Sequence, residues 1–263
     1  MDLGIRGKAA LVTGASRGLG RAVAEALLAE GVDVAISART AADLERARDE
    51  MVASTGGRVV AIAGDLSTEA GPGEVVRAAL ESLGRIDVLV LNSGGPPAGP
   101  FEAHDRGAWR AALASNFESA VELVRAALPG MKQRGWGRII AITSIAAKQP
   151  VDGLMLSNAS RAAVTGFART LANEVAAHGI TVNTVLPGYT RTRRVETLAA
   201  NLAAARGCAP SEVVDGWTAQ VPAGRLGEPA ELGAMVAFLA SERASYITGT
   251  SIPVDGGWIR SLL

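Results

Sequence analysis

The chain has 263 residues, and its 26 Lys plus Arg are matched by 26 Asp plus Glu, with no long block of either sign. That length suits one large α/β domain or two small ones, and the even charge balance argues against a nucleic-acid partner, which a basic excess or stripe would mark. A hydrophobic share of 48% excludes a disordered chain, the single Cys208 excludes an internal disulfide, and the lack of a Cys/His cluster excludes a structural zinc site.

The opening segment, MDLGIRGKAALVTG, carries no signal-type apolar region, and no run of about 18 apolar residues occurs along the chain. A cytoplasmic protein with no membrane partner is expected. Ala9–Val12 is a short apolar run, and the turn Thr13-Gly14-Ala15-Ser16-Arg17-Gly18-Leu19-Gly20 follows it. A helical pattern then places Val23, Leu27 and Leu28 on one face. Val32–Ala38, Val59–Ala63, Ile86–Leu91, Ile139–Thr143 and Thr181–Leu186 are further β-rich runs, with a short seventh at Ser251–Val254. Helical periodicity separates them, including two long alanine-rich helices predicted over Trp109–Gln133 and Leu154–Ala177. The rhythm breaks only at Tyr189–Gly224, ahead of a helix opened by Glu228-Pro229, where proline's missing N–H matters least.

Continuous apolar strands suit a sheet covered on both faces, which requires parallel strands joined by helical crossovers. The expected fold is therefore α/β and doubly wound, a seven-stranded, mainly parallel sheet with helices on both faces. Residues 1–263 read as one domain. Ligands bind such sheets at the carboxyl ends of the strands. The glycine turn lies there: Gly14 permits a tight turn, Gly18 and Gly20 let backbone approach a bound group, and the helix N-terminus offers free N–H groups to phosphate oxygens.

The spacing T-G-x-x-x-G-x-G resembles the glycine motif of the short-chain dehydrogenase/reductase family. The resemblance continues through Asp65-Leu66, Asn92-Ser93-Gly94, Asn116, Ser144, Pro187-Gly188, Ile247-Thr248-Gly249 and Val254-Asp255-Gly256-Gly257. It covers roughly residues 6 to 258 in the family's order, and related sequences of this kind are described as 3-oxoacyl-carrier-protein reductase-like. It implies a Rossmann-like dinucleotide-binding domain in which Gly14, Ser16, Arg17, Gly18, Leu19 and Gly20 cradle the pyrophosphate. Asp65 and Leu66 would hold the adenine, Asn92, Ser93 and Gly94 would line the cleft, and Pro187, Gly188, Thr190 and Thr192 would meet the nicotinamide end. The second strand ends Ile36-Ser37-Ala38-Arg39-Thr40, with no carboxylate to accept from a ribose. Arg39 and Arg17 are placed instead to pair with a 2′-phosphate, which selects NADP(H).

The family transfers hydride between nicotinamide and a carbonyl or alcohol, using Ser, Tyr, Lys and Asn. Ser144 and Asn116 match. Ser157-Asn158-Ala159-Ser160-Arg161-Ala162-Ala163-Val164 aligns without a gap to Y-x-A-S-K-A-A-V, so Ser157 stands for tyrosine and Arg161 for lysine. No Tyr-x-x-x-Lys occurs elsewhere. A tyrosine begins near pKa 10, whereas an unactivated serine is a far weaker acid, and arginine holds ribose hydroxyls but passes no proton. The proton is then expected from Tyr189, from Lys148, or from water onto a carbonyl polarised by Ser144, Ser157 and Arg161.

Tyr189–Gly224 corresponds by resemblance to the family's substrate lid. Leu198 and Trp217 either line its pocket or form the apolar face of its helices. Arg191, Arg193 and Arg194 either attract an anionic substrate or a phosphopantetheine-type carrier, or form a solvated helix face. The resemblance also implies a homotetramer or homodimer built on the two long helices. Two readings follow: an NADP(H)-dependent oxidoreductase acting on a small-molecule carbonyl or alcohol through a rearranged proton relay, or a non-catalytic NADP(H)-binding sensor or assembly protein.

Overall fold

The structure is a computed structural model that describes residues 1–262. Seven strands, β1 (Ala9–Thr13), β2 (Asp33–Ala38), β3 (Val59–Ala63), β4 (Val88–Leu91), β5 (Gly137–Ile142), β6 (Ile180–Pro187) and β7 (Ser251–Val254), form one sheet in the order β3-β2-β1-β4-β5-β6-β7. Every pairing is parallel. The expected fold class holds, with strand ends shifted by one or two residues.

Alternation along each strand divides the core between the two faces. Val34 and Ile36 of β2 pack with α1 (Gly18–Ala29), α2 (Ala41–Thr55) and, across the sheet, α9 (Pro229–Leu239). Leu11, Leu89 and Ile139 face the opposite layer of α3 (Gly71–Leu83), α5 (Ser119–Arg134) and α6 (Met155–Val175). The helix predicted over Trp109–Gln133 is not continuous. It divides into α4 (Arg106–Leu113), a π-helical turn at Ala114–Glu118, and α5. Asn116 Nδ2 donates to the Ala112 carbonyl at 2.9 Å, and the Ser119 N–H reaches back five residues to Ala114 O. A side chain competing for backbone acceptors is a known cause of such a turn.

The amino-terminal edge of the sheet is held by charge. Asp87, fully buried, accepts from the Ala9 N–H at 3.0 Å and from Arg85, and it pairs with Arg134 at 3.3 Å. At the carboxyl edge, α7 (Arg193–Arg206) and α8 (Pro210–Thr218) form an outlying pair with its own small core of Ala199, Ala203, Val213 and Trp217. Among the described residues no helix is long and apolar enough to cross a membrane.

Candidate active site

The glycine turn leaves β1 in a left-handed conformation at Gly14, φ 60°, and enters α1 in another at Gly18, φ 60°. A Cβ on Gly14 would lie 2.7 Å from Asn92 Nδ2, and one on Gly20 would lie 2.5 Å from the Gly14 carbonyl. Neither position accepts a side chain. Asn92 fastens the loop from the next strand: its Nδ2 donates to Thr13 O and Gly14 O, both at 3.1 Å, while Thr13 Oγ1 donates to Asn92 O at 2.8 Å. Thr13 belongs to the motif, but its part as the clasp between β1 and β4 is set by strand adjacency, which the motif does not encode. No side chain caps the N-terminus of α1, so its N–H groups open toward the cleft. Ser16 and Leu19 flank that opening half-buried, and Arg17 is exposed.

Arg39 is exposed just past β2, and no carboxylate stands between Ser37 and Thr40. Asp65 faces it from the end of β3. The Asp65 carboxylate accepts from the Ser67 N–H at 2.9 Å and Ser67 Oγ at 2.7 Å, which, with the nearby Arg39 charge, holds its pKa below the ordinary carboxylate value. Leu66 packs half-buried against the α3 layer.

At the centre of the edge a polar cluster gathers residues from four elements. Ser93 Oγ donates to Asn116 Oδ1 at 2.9 Å, and Asn116 is 3% exposed within the π turn. Arg161, 7% exposed on α6, donates from Nη1 to Ile142 O at 3.0 Å and from Nη2 to Ser93 O at 3.1 Å. Its guanidinium thus bridges the ends of β5 and β4. Burial, and after it the charge of Arg194, depress its pKa to about 10. Ser144 leaves β5 extended and accepts from the Ala146 N–H at 3.1 Å, keeping its hydroxyl proton free. Ser157 is half-buried one helical turn before Arg161, on the same face of α6. A small cavity borders Thr13, Leu66, Asn92, Ser93, Asn116 and Arg161.

Beyond β6, Gly188 passes so close to Asp255 Cα that a Cβ would lie 2.7 Å away. Pro187 and Thr190 are buried, Gly94 is exposed, and Thr192 caps α7 and sits with Cγ2 3.7 Å from the Cβ direction of Gly18. The segment that follows β6 thereby starts close to the glycine turn. Leu198 and Trp217 belong to the core of the α7–α8 pair. Tyr189 stacks on Trp217, centroids 4.9 Å apart, with Trp258 edge-on at 6.2 Å. Burial raises the Tyr189 pKa, the wrong direction for an acid at neutral pH. Lys148 is exposed at the end of the turn that follows Ser144. The three arginines of this segment separate: Arg191 pairs with Glu228 at 2.9 Å, Arg193 is exposed, and Arg194 Nη2 donates to Pro96 O at 2.7 Å. That inward turn left no mark in the sequence.

The strand order and the glycine turn define a Rossmann-type α/β protein, and comparison with known proteins narrows the class. A family model described as enoyl-(acyl carrier protein) reductase matches residues 14–259. The 3-oxoacyl-[acyl-carrier-protein] reductase of Vibrio cholerae is 36% identical over 255 residues, covering 97% of this chain and 98% of that protein. Nodulation protein G of Azospirillum brasilense is 35% identical, with 95% and 97% covered. Among solved structures, L-sorbose reductase from Gluconobacter frateurii, complexed with NADPH and L-sorbose, superposes with a TM-score of 0.95 at 35% identity over 100% of both chains. YwfH, an NADPH-dependent reductase involved in bacilysin biosynthesis, gives 0.92 at 29%, with 97% and 99% covered. The chain belongs to the short-chain dehydrogenase/reductase family of NAD(P)-dependent oxidoreductases.

Proposed function

We propose that the chain is an NADP(H)-dependent oxidoreductase acting on a carbonyl or alcohol through a relay in which Ser157 and Arg161 stand in place of tyrosine and lysine. The observation that carries the reading is the cradle: at Gly14 and Gly20 a Cβ would strike backbone or Asn92. That cradle fits a dinucleotide pyrophosphate, and the L-sorbose reductase structure holding NADPH supports the same reading. Gly14, Ser16, Arg17, Gly18, Leu19 and Gly20 hold the phosphates, Arg17 and Arg39 take the 2′-phosphate, and Asp65 and Leu66 flank the adenine. Asn92, Ser93, Gly94, Pro187, Gly188, Thr190, Thr192 and Arg161 border the nicotinamide end. When bound, the nicotinamide supplies or accepts the hydride.

The chain's own residues then act on the substrate oxygen. Ser144 donates its free hydroxyl proton as a hydrogen bond, Ser157 adds a second from the facing helix, and the Arg161 charge stabilises negative charge growing on that oxygen. Asn116 orients the cluster through Ser93. Neither hydroxyl is acidic enough to give its proton away, so the proton arrives from water. Without a positioned acid the rate falls about 10²–10⁴-fold below that of a complete relay. The segment 189–224 covers the substrate as a lid, and the alanine-rich faces of α5 and α6 suit pairing with a second copy.

A second reading, a non-catalytic NADP(H)-binding protein, draws on the same Arg161. Two backbone carbonyls already engage its guanidinium, as they would in a purely structural role. Following NADPH oxidation over a panel of aldehydes and ketones separates the two. Turnover that falls at least tenfold in Ser144→Ala supports the enzyme, and no turnover across the panel with NADPH bound supports the second reading.

A further inference from the structure

Arg194 is an exposed residue whose guanidinium donates to Pro96 O and lies against Gly95, where a Cβ would come within 2.6 Å of Nη2. Arg161 is held by Ser93 O, three residues earlier on the same loop. One short loop therefore gathers two guanidinium groups from two different elements. Among the described residues neither meets a carboxylate, whereas Arg191, three residues from Arg194, has Glu228. The loop continues to Gly99, whose N–H donates to Gly153 O at 2.7 Å and which bridges to Leu154, one turn before Ser157. Arg194 thus stands on the substrate side of the cleft, past Thr192 and the glycine turn.

We infer that this lid arginine is a specificity residue for the proposed reaction: it takes a carboxylate carried by the substrate, so the enzyme prefers oxo- or hydroxy-acids to neutral carbonyls and alcohols. Two cations held close by neutral carbonyls repel each other, and an anion between lid and loop turns that repulsion into attraction. A guanidinium fork fits a carboxylate in two parallel hydrogen bonds, and Arg194 has donors left after Pro96. Desolvation lowers the pKa of both groups, and the Arg194 charge lowers that of Arg161 further, as expected where the counter-ion is still to come. The carboxylate also draws the lid onto the loop, which closes the site only over substrates that carry it.

The inference rests on the dinucleotide reading above, so one titration series addresses both. Calorimetry on the full chain measures NADP⁺ first, then oxamate and its neutral ethyl ester on the protein saturated with NADP⁺. The expected result is oxamate binding at least tenfold tighter than the ester. Arg194→Gln should weaken oxamate about 10–100-fold, Arg194→Lys should weaken it less, and NADP⁺ affinity should stay within about twofold. Equal affinity for oxamate and ester, binding of neither, or an unchanged oxamate affinity in Arg194→Gln overturns the inference while leaving the dinucleotide reading standing. Loss of NADP⁺ affinity in Arg194→Gln with oxamate unchanged assigns the arginine to the cofactor phosphates and overturns it too. No NADP⁺ binding by the native chain overturns both.

Discussion

At position 157 a serine hydroxyl and at 161 a buried guanidinium occupy one face of α6, and in the proposed relay this pair decides how the site handles protons. Replacing both, Ser157→Tyr with Arg161→Lys, supplies a phenol that can be tuned toward neutrality and an ammonium to tune it. The double variant should raise kcat for carbonyl reduction by about 10²-fold or more over the native chain, measured with NADPH at saturating substrate. No gain would mean that the site is not built for hydride chemistry. Arg161 also makes a pH prediction. Its folded pKa of about 10 lies well below the ordinary arginine value because burial disfavours the charged form. Folding therefore works against this charge at neutral pH, and the penalty is relieved as pH rises from about 10 toward the ordinary arginine range. Turnover has the opposite dependence: kcat/KM should hold level on this group's account below pH 9 and fall through pH 10, as the charge facing the substrate oxygen is lost.

Among the elements, the junction of β1 with α1 and the π turn around Asn116 carry most of the site's geometry. Gly20→Ala drives a Cβ against the Gly14 carbonyl and should cost about 1–3 kcal/mol in urea unfolding, together with NADPH affinity. Gly94→Ala, whose Cβ would meet nothing within 4 Å, is the matched control and should leave the fold unchanged. The glycine turn was legible in the sequence because its chemistry is local: positions that must be left-handed or crowded can only be glycine. The π turn was not. The apolar periodicity on either side of Asn116 runs on in helical phase, and only the folded chain shows the Asn116 side chain taking the Ala112 carbonyl. The segment after β6 shows the same limit. Three arginines within four residues looked alike in the sequence, yet one pairs with Glu228, one faces solvent and one turns onto Pro96. Which does which depends on loops 35 or more residues and nearly a hundred residues away.

Over the whole molecule the two edges of the sheet have separate tasks. The carboxyl edge assembles the site, while the amino edge is tied by Asp87 with Arg85, Arg134 and the Ala9 N–H. Asp87→Ala should cost about 2–3 kcal/mol in urea unfolding, less than for a fully buried pair because both arginines reach solvent. NADPH affinity, measured where the variant is still folded, should be unchanged. The parallel, doubly wound class and all seven strands were legible because such a sheet writes itself as short apolar runs separated by helices, whereas the strand order came only from the folded chain. In the proposed function the glycine turn, Arg17 and Arg39 hold NADP(H) rather than NAD(H). Fluorescence titration of the native chain and of Arg39→Asp with NADPH and NADH tests it directly. The account predicts at least tenfold tighter binding of NADPH by the native chain and loss of that preference in the variant. Equal or tighter binding of NADH by the native chain, or no measurable binding of either, would contradict it.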